Sequence, residues 1–171
     1  MPELDLKSLL KKNLDGAERV AVLGVGSELR ADDIAGMTVA ALLYEHIKKD
    51  SHNGRLKVFF GATAPENLTG EIKRYAPTHL IIVDAADTGA EPGTIDYIKT
   101  EEVAGISFST HMMPLKILVD YLNQSFPCEV TIIGIQPKVL SFGKSPSPEV
   151  LSSASQVAAS IIEVMTTQAS K

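Results

Sequence analysis

Residues 20–36 read Val-Ala-Val-Leu-Gly-Val-Gly-Ser-Glu-Leu-Arg-Ala-Asp-Asp-Ile-Ala-Gly, and this stretch decides the fold. Val20 to Val25 is a short apolar run without polar alternation, the pattern of a parallel strand covered on both faces by helices. Gly24 and Gly26 close it, and a helical pattern follows through Ile34, Met37, Ala40, Ala41 and Leu43. Asp32 and Asp33 stand where that helix begins, at the positive end of its dipole. Capping needs only one acid. Asp32 is read as the cap, worth about 1 kcal/mol. Asp33 is then left toward the carboxyl end of the strand, where open α/β sheets bind their ligands.

Further strands are expected at Leu56 to Phe60, His79 to Asp87 and Val130 to Ile135, with a more exposed edge or antiparallel strand at Gly93 to Lys99. Helices are expected at Leu4 to Leu14, from Asp33 to Lys49, at Leu68 to Tyr75, briefly at Glu101 to Ala104, after Ser109 to Pro114, and from Glu149 to Met165. Strands alternating with helices of this length give a doubly wound three-layer α/β/α fold with about five mostly parallel strands. Residues 1–171 are read as a single domain, since no linker divides them.

Composition removes several classes of function. A net charge of −5 and Lys pairs confined to Lys11-Lys12 and Lys48-Lys49 leave no broad basic footprint for nucleic acid. The single Cys128 forbids an internal disulfide or a multi-cysteine metal site, and it reads as a core thiol in a reducing compartment. No apolar run reaches the roughly 18 residues of a membrane span, and the start of the chain is acidic where a secretory signal is basic. A monomeric cytoplasmic protein is the expectation.

Three ligand sites suit acids at strand ends in such a sheet. The dinucleotide fingerprint fails, because Leu29 takes the third glycine position and the second strand has no ribose-binding acid after Phe60-Gly61. A phosphate- or Mg²⁺-binding receiver-like module fits poorly, because Asp32-Asp33 stand well beyond the strand end. The third is a metal site of Asp33, Asp84 and His111, with two carboxylates and an imidazole suited to nickel, zinc, iron or cobalt. Each of these residues also has a structural reading: a cap, a turn acid and a residue at a helix start. His46, His52 and His79 read as structural or solvated.

The stretches 22–36, Ala-Pro-Glu-Asn (64–67), Leu-Ile-Ile-Val-Asp-Ala-Ala-Asp-Thr-Gly (80–89), Pro-Gly-Thr-Ile (92–95), Ser-Thr-His-Met-Met-Pro-Leu (109–115) and Gly-Ile-Gln-Pro (134–137) occur in one order over most of the chain. Together they resemble the hydrogenase maturation endopeptidases, in particular the branch serving hydrogenase-3-like enzymes. The resemblance implies an aspartyl-type endopeptidase that removes the C-terminal extension of a [NiFe]-hydrogenase large-subunit precursor after nickel insertion, so that the new terminus folds over the metal centre. It also implies that Asp33, Asp84 and His111 are both the catalytic and the metal-coordinating residues. The nickel is that of the precursor, and zinc or cadmium could substitute for it.

Ser27 replaces the family's usual Asn, and Ile34 a frequent Gly, so the backbone at Ile34 must be ordinary helix. A non-cleaving paralogue that binds the nickel-loaded precursor is the alternative within the family. Thr110 and Gln136 could orient ligands, although a capping hydroxyl and a strand-end amide explain them as well. Residues Gly24–Arg30, Gly61–Asn67 and Pro137–Ser147 are expected to wall a groove for an extended chain, the last being the most mobile.

Overall fold

The computed structural model describes residues 3–50, 54–108 and 115–169. Among these the helices are α1 (Glu3–Asn13), α2 (Ala35–Lys49), α3 (Thr69–Tyr75), α4 (Leu115–Ser125) and α5 (Pro148–Ala169). The strands are β1 (Val20–Val25), β2 (Leu56–Ala62), β3 (His79–Asp87), β4 (Ile95–Ile98), β5 (Ser107–Phe108) and β6 (Glu129–Ile135). The sheet runs β2-β1-β3-β6-β4, with β2, β1, β3 and β6 parallel, β4 antiparallel to β6, and the two-residue β5 antiparallel to the end of β3. The mostly parallel α/β fold is as the sequence predicts, and so is the antiparallel edge. The sixth strand, β5, is too short to leave a periodic signal.

Burial on both faces accounts for the continuous apolar runs. In β3, Ile81, Val83 and Ala85 join Leu6, Leu10, Val39, Leu43, Val157 and Ile161 of α1, α2 and α5 in one core. Leu80, Ile82 and Ala86 turn the other way and meet Ile72, Leu115, Leu118 and Leu122 of α3 and α4. Neighbouring residues of one strand therefore serve different layers, and neither face is left for polar residues.

Glycines let α2 sit close to the sheet. A Cβ on Gly36 would stand 2.0 Å from the Val83 carbonyl oxygen and 2.4 Å from that of Val25, and one on Gly24 would stand 2.3 Å from the Gly36 oxygen. Gly26 has φ +134, and a Cβ there would stand 1.7 Å from the Asp33 carbonyl oxygen. These contacts hold the acids against the carboxyl ends of β1 and β3. Before α2 the chain makes a 3-10 turn, Ala31–Ile34, so the helix starts two residues after the expected Asp33. Ile34 takes helical angles (φ −71, ψ −8), as its branched side chain requires.

The Gly36→Ala substitution has no flexible neighbour to displace and should cost about 3 kcal/mol or more. Urea unfolding monitored by circular dichroism measures it; a cost under about 1 kcal/mol would mean that α2 can lift from the sheet without penalty.

Candidate functional site

Asp33 lies in the turn before α2 and Asp84 near the carboxyl end of β3, and the turn rests on β3. Both are buried, at 1% and 0% exposure. Period-two alternation puts Asp84 on the same face as Leu80, Ile82 and Ala86, toward α4. Oδ2 of Asp33 lies 3.8 Å from Nη1 of Arg30, a half-buried guanidinium three residues upstream. Oδ1 of Asp33 is buried and has no hydrogen-bond partner. A buried oxygen of this kind is costly unless something electropositive meets it. It is therefore an atom of the site suited to a metal ion.

His111 and Thr110 lie outside the described residues. Among the described residues no three of His, Cys, Asp and Glu form a group able to hold a metal. The structure places Asp33 and Asp84 at one edge, and His111, the third expected member, lies outside the described residues.

Asp32 differs from the expectation. It donates no cap, and the turn at Ala31–Ile34 has no side-chain cap at all. Its carboxylate is fully buried and works as a clamp. Oδ1 accepts from the Ser147 amide (2.6 Å) and hydroxyl (2.8 Å), and Oδ2 from the Lys138 (2.7 Å) and Val139 (2.8 Å) amides, with the same hydroxyl 2.7 Å away. The Asp32 amide in turn donates to the Val139 carbonyl at 3.0 Å. A short helix start leaves few orphan amides to cap, whereas the 137–147 segment brings three of its own. Burial by itself would raise the Asp32 pKa, but the Ser147, Val139 and Lys138 donors outweigh it and hold the carboxyl below the ordinary aspartate range.

The segment expected to be the loosest wall of the groove is thus tied down at both ends. Its tip is held as well, because the Gly143 amide donates to the Leu29 carbonyl at 2.9 Å. The other two walls are joined by the Gly26 amide and the Ala62 carbonyl, also at 2.9 Å. Leu29 and Phe142 project from this rim at 61% and 72% exposure. Between the walls lies a small hollow of about 70 Å³ bounded by Arg30, Ala85, Asp87, Phe108, Pro137 and Leu140. A larger one of about 420 Å³ opens at the opposite, amino edge, beside Ala17 and Arg55. It holds neither expected acid.

Gln136 is fully engaged in the chain's own turn. Its Oε1 accepts from the Thr88 amide at 2.8 Å and the Ala90 amide at 3.3 Å, while Nε2 donates to Asp87 Oδ1 at 3.1 Å. The strand-end reading of this amide holds. Cys128 packs against the α3 and α4 core, and burial, with Glu129 adding to it, pushes its thiol up to about 11. A thiol held protonated at neutral pH is a poor nucleophile, which argues against cysteine protease chemistry at this residue. A receiver-like Mg²⁺ site fits poorly too, since Asp32 spends both oxygens on the backbone and Ser147, which leaves only Asp33 of the adjacent Asp32-Asp33 pair.

The profile of the hydrogenase maturation protease family matches residues 37–164. The chain belongs to the hydrogenase maturation protease family. Hydrogenase 3 maturation protease of Escherichia coli K12 is 38% identical over 122 residues, covering 71% of this chain and 74% of its own. A Methanocaldococcus jannaschii protein with a provisional hydrogenase maturation protease name is 32% identical over 163 residues, covering 94% and 96%. In three dimensions the crystal structure of the [NiFe] hydrogenase maturation protease HycI from Thermococcus kodakarensis superposes with a TM-score of 0.81 at 26% identity, over 92% of this chain and 99% of its own. As a member of this family the chain is an enzyme, a protease. Among the described residues no helix is long and apolar enough to cross a membrane.

Sequence reasoning missed the clamp. Ser147 directly precedes Pro148, a pattern that reads as an ordinary helix start, and nothing local reveals a partner 115 residues away. Exchanging Asp32 for Asn presents an amide to at least one N–H donor and should lower stability by about 3 kcal/mol, well above the value of a cap. Because the folded-state pKa is depressed, the stabilisation is present above about pH 4 and is lost as pH falls through the folded value. Chemical denaturation between pH 2 and pH 7 should show a flatter acid limb in Asp32→Asn than in the parent. Superimposable limbs would remove the clamp.

Proposed function

We propose that this enzyme removes the C-terminal extension of a [NiFe]-hydrogenase large-subunit precursor once nickel is in place, and that Asp33, Asp84 and His111 are the residues that meet the metal. The observation that carries this reading is the buried Oδ1 of Asp33, which has no hydrogen-bond partner and stands at the carboxyl edge of a fold shared with known maturation proteases. Two carboxylates with an imidazole form a borderline donor set that suits nickel. In this reading the ion arrives as part of the substrate. When bound it can polarise the scissile carbonyl or acidify a water molecule.

The chain's own residues do the rest. Gly26 and Gly36 hold the Asp33 turn on the ends of β1 and β3, so that this carboxylate does not have to be ordered when substrate binds. Arg30 offsets part of the Asp33 charge before substrate arrives. The Asp32 clamp fixes the rim bearing Leu29 and Phe142, an exposed apolar pair able to hold an extended precursor segment close to the acids. A single cysteine fits a cytoplasmic setting.

Incubation with nickel-loaded and nickel-free precursor, followed by mass spectrometry of the released peptide, tests the reading. One cut in the loaded form alone is the expected result; equal cutting of both forms would remove the metal gate, and no cutting of either would remove the activity.

Asp33→Asn and Asp84→Asn should each reduce cleavage by at least about a hundredfold while thermal stability holds or rises slightly, since the change removes charge and preserves shape. His111→Ala should do the same. Activity near the parent's in the Asp33 variant would detach that residue from the chemistry.

A further inference from the structure

The turn after β2, Pro65–Leu68, carries Glu66, a residue with no part in the site described above. Oε2 of Glu66 is buried and has no hydrogen-bond partner. Glu66 borders a cleft of about 320 Å³ whose other described walls are Thr69, Ile117, Leu118 and Tyr121. Apart from Thr69 these walls are aliphatic or aromatic, and the Thr69 hydroxyl is turned back onto the Glu66 carbonyl at 2.9 Å. Ile117 and Tyr121 stand four residues apart on α4 and are 52% and 47% exposed, so the cleft is open to solvent on that side.

The described cations near the cleft are paired with groups other than Glu66. Lys73 lies 4.9 Å above the Tyr121 ring with Nζ 3.2 Å from its hydroxyl, and Lys116 pairs with Asp120 at 2.7 Å. A carboxylate in the lining of an otherwise apolar cleft, with one oxygen buried and unbonded and no cation paired to it among the described residues, suits a positive group carried on a long apolar stem. Lysine and arginine side chains have that form. The turn bearing Glu66 follows β2 at the same carboxyl edge that holds Asp33 and Asp84. Tight packing at the end of β2 fixes it there, since a Cβ on Gly61 would stand 2.9 Å from the Gly24 oxygen and 3.1 Å from the Pro65 Cβ.

We propose that this cleft is a specificity subsite that takes a basic side chain of the precursor, its stem lying on Ile117, Leu118 and Tyr121 and its charge meeting Glu66. The subsite rests on the endopeptidase reading for its substrate, but its ligand chemistry can be tested without turnover. Enzyme with labelled methyl groups is titrated with N-acetyl-arginine amide and, separately, with N-acetyl-norleucine amide, which has a similar stem and no charge. The arginine amide should shift the methyl signals of Thr69, Ile117 and Leu118, and the norleucine amide should not.

The Glu66→Gln variant keeps the shape of the side chain and should lose those shifts. On nickel-loaded precursor it should raise KM by roughly tenfold to a hundredfold with kcat held, the range for one hydrogen bond to a charged group. Glu66→Asp should recover part of the loss. Shifts that persist in Glu66→Gln, or a KM that does not change, overturn the subsite. If the parent enzyme fails to cut the precursor at all, the endopeptidase reading falls, while the titration still decides whether the cleft takes a cation.

Discussion

The carboxylate of Asp32 holds the carboxyl edge of this protein together. Two oxygens receive three backbone amides and a hydroxyl from a segment that begins 106 residues further along the chain. Without that carboxylate the amides of Lys138, Val139 and Ser147 have no described acceptor, and the rim beside Asp33 loses its anchor. Charge-assisted hydrogen bonds are stronger than neutral ones, and in a buried setting they are less screened by water. One side chain can therefore fix a whole loop that has no secondary structure of its own.

Adjacent acids here have opposite fates. Asp32 is buried and fully satisfied, whereas Asp33 is buried beside a distant guanidinium with one oxygen left without a hydrogen bond. The first arrangement favours folding. The second is tolerated only because the surrounding structure enforces it, the usual condition of a group kept ready for chemistry. Ala31, with φ +48, sits immediately before the pair. A non-glycine residue in that region carries a strain of about 1 kcal/mol, and here the strain sends two consecutive carboxylates to different places.

Much of this was legible from residue order. The apolar runs at Val20 to Val25 and His79 to Asp87 gave away a doubly covered sheet because burial on both faces removes alternation, and Asp96 and Tyr97 marked β4 as a less covered strand. Asp33 and Asp84 were recognisable as candidate site residues because strand ends and helix starts are local features. The Asp32 clamp was not legible. Its partners are backbone amides, which every residue has, and Ser147 resembles any residue before a helix-starting proline. Glu66 was passed over for a similar reason, since only the folded chain shows that its carboxylate is paired with no cation among the described residues.

The separation of 115 positions between Asp32 and Ser147 also bears on how the molecule comes to exist. Closing so long a loop is an entropic cost that must be met before its contacts can return any stability, so such contacts form late. As the chain emerges during synthesis, β1, β2 and β3 can pair well before β6 and α5 are available. Over that interval Asp32 is an acid without partners and the rim bearing Phe142 has no shape. The fold therefore carries its own order of assembly, in which the protease acquires a binding edge only after nearly the whole chain has been made.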